Sequence, residues 1–210
     1  GSRPLSILFP YLLSYIFSVE NAFGIQASLS IILSGPFMFL LSKKLLDDEK
    51  LAFMSTLLFL SSFPVLYWGF AVLTDMPSYL FFAITTYAII CLFEKSPSNL
   101  EVLLVSILCG IGFLVKQNIV FSLFFFYILL FFNKGGIQID LQDKITKAGV
   151  FIIFYFVPII LVESLLFFYF DSFMITNSLE SYVLERHTSQ IYSHRTPIYF
   201  LQTLFIDFGI

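Results

Sequence analysis

Apolar stretches long enough to cross a lipid bilayer alternate with short charged segments along most of this chain. Residues 25–42, 51–73 and 149–170 are the clearest, since a membrane helix needs roughly 20 apolar residues. Hydrophobic residues make up 59% of the 210 positions, and charged residues only 12%, about half the usual share in a soluble domain. A soluble core of this size cannot bury so much apolar surface. The sequence therefore predicts an all-α, polytopic membrane helix bundle with about seven to eight apolar helices.

The remaining helices and loops follow from the same alternation. The run 101–132 is too long for one span and is interrupted by Lys116-Gln117-Asn118, which predicts two short helices with a polar turn between them. We expect the chain to be truncated at both ends, because it begins without Met and ends inside an apolar run. The other predicted elements are a short apolar segment at 5–19 that ends at Glu20-Asn21 and Gly24, a span at 76–93, polar loops at 134–147 and 171–197, and a last span from Pro197.

The lysines are unevenly distributed between alternate loops. Loops 43–50, 94–101 and 134–147 hold most of them, and the positive-inside rule places these loops in the cytoplasm. Asp75, Lys116 and the loop 171–197 then all lie on the outer or lumenal side of the membrane. No basic run indicates a nucleic-acid partner.

Asp75 lies where one apolar segment ends and the next begins. Thr74 or Asp75 as N-cap, with Pro77 just inside, is typical of a helix start. A carboxylate at the lipid–water boundary stays ionised at little cost, and from this fixed position it can reach a polar ligand. Asp75 is therefore either a helix cap only or a functional carboxylate.

Lys116 has two interpretations of the same kind. It can extend its charge from a helix end toward water, as lysines near membrane interfaces do. With Gln117 and Asn118 beside it, it also forms a cluster of donors suited to a phosphate or to sugar hydroxyls.

Other polar residues give weaker indications. Glu163 lies within an apolar span, where a carboxylate costs about 2.5–3.5 kcal/mol near the bilayer centre, so we expect it to face a cavity or an ion partner. His187 and His194, the two histidines, lie in the loop 171–197, which argues against a haem held between membrane helices. Cys91 and Cys109 lack metal-ligand spacing, and Cys109-Gly110 with Gly112 favours close helix contact.

Three motifs carry a resemblance to a known superfamily. They are Phe-Pro-Val-Leu-Tyr-Trp at 63–68, Leu-Thr-Asp-Met-Pro-Ser-Tyr-Leu-Phe-Phe at 73–82 and Gly-Ile-Gly-Phe-Leu-Val-Lys-Gln-Asn-Ile-Val at 110–120. Together they resemble the integral-membrane glycosyltransferases of the GT-C fold, in particular the protein O-mannosyltransferase and lipid A aminoarabinose transferase group. Thr74-Asp75-Met76-Pro77-Ser78 is also similar to the Thr-acid-x-x-Ser motif of the dolichyl-phosphoglucose α-1,2-glucosyltransferases.

The resemblance implies that residues 1–210 are part of one transmembrane glycosyltransferase domain with 171–197 as an external loop. Such enzymes take the sugar from a polyprenyl- or dolichyl-phosphate donor and transfer it on the outer or lumenal face. By the same resemblance, Asp75 matches the second acidic position and Lys116 a basic position. Pro10-Tyr11-Leu12 matches the end of the motif that carries the principal carboxylate, which would place that acid before Gly1. The family's Arg at the start of the second span is replaced by Gln26 and Ser28.

The implied reaction is an inverting displacement of lipid phosphate by an acceptor hydroxyl, the acceptor being a protein or a lipid-linked glycan. Asp75 is the candidate catalytic residue, for acceptor or metal binding, and a divalent metal is an open possibility.

An ion-coupled secondary transporter and a non-catalytic membrane subunit remain alternatives. The expected location is the cell membrane of a prokaryote or the endoplasmic reticulum membrane of a eukaryote. The candidate substrate-binding residues are Lys116, Gln117, Glu163, His194 and Arg195.

Overall fold

A computed structural model describes residues 4–63, 65, 75–132 and 140–170. This part of the chain is helical and contains no strand, which confirms the predicted all-α class. The seven α-helices are α1 (Pro4–Leu13), α2 (Val19–Leu46), α3 (Glu49–Leu60), α4 (Asp75–Leu92), α5 (Asn99–Val115), α6 (Phe121–Phe132) and α7 (Leu141–Phe170), with a 3₁₀ turn at Gln117–Val120 between α5 and α6.

The first two helices differ from the predicted boundaries. α1 ends at Leu13, and α2 begins at Val19, where the Ser18 hydroxyl accepts a hydrogen bond from the Asn21 backbone N–H. Glu20-Asn21 and Gly24 therefore lie inside α2 and do not end a helix. Glu20 is favourable in the first turn because a carboxylate interacts well with the positive end of the helix. α2 ends at Leu46, and the capping residue after it, Asp47, adopts a left-handed conformation with φ of 50°.

The predicted interruption of the run 101–132 is confirmed. α5 ends at Val115, Lys116 is extended, and the chain makes a 3₁₀ turn before α6 begins at Phe121. α4 also follows the predicted span closely. The bend predicted at Pro64 lies outside the described residues.

The predicted loop 134–147 is wrong in its second half, because α7 begins at Leu141. Asp143 lies in the first turn, where its charge is favourable, and it accepts a hydrogen bond from Lys147 one turn later. These polar residues form the first turns of α7, before its apolar part begins. Polar residues at this position therefore do not distinguish a loop from a helix start.

Aromatic stacking joins the later helices. Phe126 of α6 stacks on Phe151 of α7 with ring centroids 3.8 Å apart, and Phe93, just after α4, lies 5.5 Å from Phe126. The Tyr127 hydroxyl donates to the Ala148 carbonyl at 3.0 Å. α6 therefore runs back toward the end of α4 and the start of α7.

The outer surfaces of the helices are apolar. In α7, Phe151, Tyr155 and Ile159 are buried, whereas the remaining faces expose large apolar side chains such as Ile153 and Ile160, each 61% exposed. A helix that is apolar on every side is suited to lipid. Within the part of the chain that the structure describes, two helices, Val19–Leu46 and Leu141–Phe168, are long and apolar enough to cross a membrane, and shorter apolar helices accompany them. The fold is an all-α membrane bundle.

The chain divides into two compact units. One comprises residues 3–160, and the other comprises residues 1–2 and 161–210. The sites described below lie in the first unit, except Glu163. The assignment of residues 1–210 to one transmembrane domain stays a prediction.

Candidate active site

One end of the first unit carries a set of ion pairs. Lys44, in the last turn of α2, pairs with Glu94, just after α4. On the same loops, Lys43 pairs with Glu49 and Lys95 pairs with Glu101. We call loops 43–50 and 94–101 the charged face. The contact between Lys44 and Glu94 brings these two loops together at one end of the helices. The cytoplasmic location of the loops stays a prediction.

Three helices meet at the charged face, and their lengths show which residues lie at the same distance from it. α4 has 18 residues and α5 has 17, which correspond to about 27 Å and about 26 Å by helical rise. Along α2, the same rise places Gln26 about 27 Å from Lys44. Gln26, the first residue of α4 and the last residue of α5 therefore lie at a similar distance from the charged face. We call this level the polar layer, and it contains Gln26, Asp75 and Lys116.

A small apolar cluster fixes the start of α4 against α2. Ala27, Val65 and Met76 are buried together, with Ile31, Phe59 and Tyr79 packed around them. Phe59 of α3 meets Tyr79 edge to face, with ring centroids 6.1 Å apart. Because Met76 directly follows Asp75, this packing places the Asp75 backbone beside the N-terminal part of α2.

Lys116 is held by the way the chain folds back after α5. Its backbone N–H donates to the Gly112 carbonyl, its carbonyl accepts from the Ile119 N–H, and both distances are 3.0 Å. A Cβ at Gly112 would lie 2.9 Å from the Ile119 side chain and 3.4 Å from Phe81 of α4. Gly112 thus lets the turn pack against α5 and α4. The Lys116 side chain is half-buried at this junction.

The structure places the other candidate residues separately. Gln117 begins the 3₁₀ turn after Lys116. Glu163 lies in α7 within the second unit and is 7% exposed. That it faces a cavity or an ion partner stays a prediction. His194, Arg195 and the loop 171–197 lie outside the described residues. Asp75 and Lys116 are the two candidates that the first unit brings to one level.

No group of three or more His, Cys, Asp or Glu side chains that could hold a metal ion occurs within residues 4–63, 65, 75–132 and 140–170. The divalent metal considered from the sequence stays a prediction.

Gln26 is a polar residue of this layer to which the sequence assigns no role beyond its place at a family Arg position. It is 6% exposed, and its Nε2 donates to the Ser6 carbonyl of α1 at 3.1 Å. The signal that could have identified this contact is Pro10. Proline has no N–H, so the carbonyl four residues earlier, that of Ser6, lacks its usual helical donor.

Comparison with known families decides the broad class of the chain. The model of the dolichyl-phosphate-mannose-protein mannosyltransferase family matches residues 3–162, which is well over half of the sequence. The chain belongs to this family. No curated protein and no solved structure matches it.

Membership of the dolichyl-phosphate-mannose-protein mannosyltransferase family confirms the resemblance to GT-C glycosyltransferases. It supports a membrane glycosyltransferase that uses a dolichyl-phosphate-linked sugar donor. It also favours a transferase over the transporter considered from the sequence. The matched region contains the polar layer and the charged face.

Proposed function

We propose that the protein transfers a hexose from a dolichyl- or polyprenyl-phosphate donor to an acceptor hydroxyl on the outer or lumenal face of the membrane. The observation that carries this proposal is the family match over residues 3–162. The polar layer supports it, because Asp75 and Lys116 lie at one level at the end away from the charged face. The acceptor hydroxyl belongs to a protein or to a lipid-linked glycan.

In the proposed reaction, the acceptor oxygen attacks the anomeric carbon while the bond from that carbon to the phosphate oxygen breaks. A carboxylate takes the hydroxyl proton, and the lipid phosphate leaves with the electron pair of the broken bond. Lys116 stabilises the charge that develops on the phosphate, and Asp75 binds the acceptor. Gln117, Glu163, His194 and Arg195 remain proposed contacts to the substrates.

The role of Asp75 is tested by Asp75→Asn in the full-length protein. Asparagine keeps the size and the capping ability of aspartate but removes its charge. We expect the rate of sugar transfer from a dolichyl-phosphate donor to fall roughly tenfold or more, with normal membrane expression. A transfer rate equal to that of the wild type would leave Asp75 with a structural role at the start of α4.

The role of Lys116 is tested by donor affinity. Lys116→Ala removes a charge-assisted contact worth roughly 1.5–3 kcal/mol, so Kd for a polyprenyl-phosphate analogue should rise about tenfold to a hundredfold. Lys116→Arg should recover part of this loss, since either cation can face a phosphate.

Lys50→Ala on the charged face is the matched control, because it removes the same charge far from the polar layer. It should leave donor affinity unchanged. A lysine that only extends toward water predicts a different result, in which Lys116→Ala alters thermal stability and Kd stays constant. Equal Kd values in the wild type and all three variants would exclude Lys116 as a phosphate ligand.

A further inference from the structure

The two polar atoms of the Gln26 side chain differ in their contacts. Nε2 has a hydrogen-bond partner, and Oε1 has none among the described residues. The Nε2 half donates to the Ser6 carbonyl, which Pro10 deprives of its helical donor. Ser6 and Pro10 are both buried, so α1 is attached to α2 at this point. The Nε2 contact is therefore structural.

The Oε1 half is buried without a partner. Oε1 is inaccessible to solvent, and among the residues that the structure describes no donor lies within hydrogen-bond distance of it. Buried acceptor atoms are paired in the great majority of cases, so an unpaired one indicates a ligand or a bound water.

The position of Gln26 favours the lipid-linked donor as this ligand. Gln26 lies in the polar layer, next to Ala27, which packs on the residue that follows Asp75. Gln26 also lies seven residues, or about 10 Å, along α2 from the N-terminal end of this helix at Val19. The reactant that approaches from the membrane is the lipid-linked one. Its sugar carries hydroxyl groups, which are the donors that a neutral amide oxygen accepts.

We propose that Oε1 of Gln26 accepts a hydrogen bond from a hydroxyl of the lipid-linked sugar donor and contributes to recognition of that sugar. This inference rests on the proposed function. It assigns two separate tasks to Gln26. Nε2 attaches α1 to α2 through the Ser6 carbonyl, and Oε1 binds a sugar hydroxyl.

The two tasks can be separated because Pro10 creates the structural one. In Pro10→Ala, residue 10 regains an N–H that can serve the Ser6 carbonyl, so the Nε2 donor of Gln26 becomes dispensable. Gln26→Met has nearly the same shape as the wild type but lacks both amide atoms. We therefore compare the wild type, each single variant and the double variant in the full-length protein.

The measurements are Tm in detergent and kcat and KM with dolichyl-phosphate mannose. We expect Gln26→Met alone to lower Tm and Pro10→Ala to restore it in the double variant. KM for the donor should nevertheless stay at least tenfold above that of Pro10→Ala alone. If Pro10→Ala restores both Tm and KM, Gln26 has only its structural task and the proposal is wrong.

Donors that lack single hydroxyls sharpen the test. The Pro10→Ala variant should discriminate against one monodeoxymannose donor by tenfold or more in kcat/KM, and the double variant should lose that discrimination. If the two variants show the same preferences across all monodeoxy donors, Oε1 contacts a bound water only. A wild type that transfers no sugar from any dolichyl-phosphate donor would overturn the proposed function, and this inference with it.

Discussion

Ser98 and Glu101 cap each other where a charged loop ends and α5 begins. The Ser98 hydroxyl accepts from the Glu101 backbone N–H, and the Glu101 carboxylate accepts from the Ser98 N–H at 2.8 Å. Lys95 pairs with the same carboxylate. The Lys95 ammonium, together with the Ser98 N–H and hydroxyl, lowers the pKa of Glu101 from 4.5 to about 2. This reciprocal capping fixes where α5 begins.

The lowered pKa predicts an acid-dependent stability. Between pH 4.5 and about 2, the unfolded chain binds a proton at Glu101 that the folded chain does not, so stability falls as the pH falls through this window. Glu101→Gln preserves the capping pattern but cannot titrate. We expect Tm of the wild type in detergent to fall more steeply than that of Glu101→Gln between these pH values.

Lys95→Ala provides the matched comparison, because it removes the largest cause of the lowered pKa and should reduce the slope of Tm against pH. Identical slopes for the wild type and Glu101→Gln would show that Glu101 does not contribute.

Single residues differ in how far the sequence alone predicts them. Lys116 interrupts an apolar run, and Asp75 lies two residues before Pro77 at a helix start, so the local pattern indicates both positions. The Gln26 contact depends on Ser6 in another helix. Pro10 indicates that the Ser6 carbonyl lacks its helical donor, but the sequence does not indicate that Gln26 supplies the replacement. Interactions between distant residues are therefore the part that pattern alone misses.

Among the helices, α5 and α7 approach each other closely at Gly110. A Cβ at Gly110 would lie 2.2 Å from the Tyr155 carbonyl oxygen and 2.6 Å from Cγ of Pro158. The first of these atoms is backbone and cannot rotate away. Gly110 is therefore required for the contact, and the prediction from Cys109-Gly110 of close helix packing is confirmed.

Gly110→Ala should separate α5 from α7. We expect it to destabilise the folded protein by about 1–3 kcal/mol, the usual effect of overpacking, and to lower Tm in detergent. Gly149→Ala in α7 is the matched control, since a Cβ there meets nothing within 4 Å. Alanine is the better helix former by about 1 kcal/mol, so this control should be neutral or stabilising.

The prediction would fail if Gly110→Ala and Gly149→Ala had the same Tm. Close packing at this contact would then be unnecessary for stability.

Helix boundaries were predictable where the chain itself supplies a stop. The Lys116-Gln117-Asn118 interruption and the span 76–93 both match the structure. The start of α7 was not predictable, because Asp143 and Lys147 are as common in a loop as in the first turns of a helix, where they pair here. Likewise, Glu20 and Asn21 suit the first turn of α2 as well as a break.

For the whole molecule, the arrangement of helices predicts opposite sides for two exposed residues. Lys95 lies on the charged face, whereas Asn118 follows α5 at its other end. In a background where Cys91 and Cys109 are replaced by alanine, Lys95→Cys and Asn118→Cys should react with a membrane-impermeant maleimide from opposite sides of sealed vesicles. Lys50→Cys should match Lys95→Cys. Labelling of positions 95 and 118 from the same side would contradict the proposed orientation.

The depth of the polar layer bears on how the protein meets its substrate. Its distance from the charged face, about 27 Å, is close to the roughly 30 Å thickness of a bilayer's hydrocarbon core. A donor phosphate at this depth stays level with the headgroups of its own leaflet. The search for donor is then two-dimensional, and the transfer rate follows the mole fraction of donor among the surrounding lipids. Adding inert phospholipid at a fixed bulk amount of donor should slow the reaction by surface dilution.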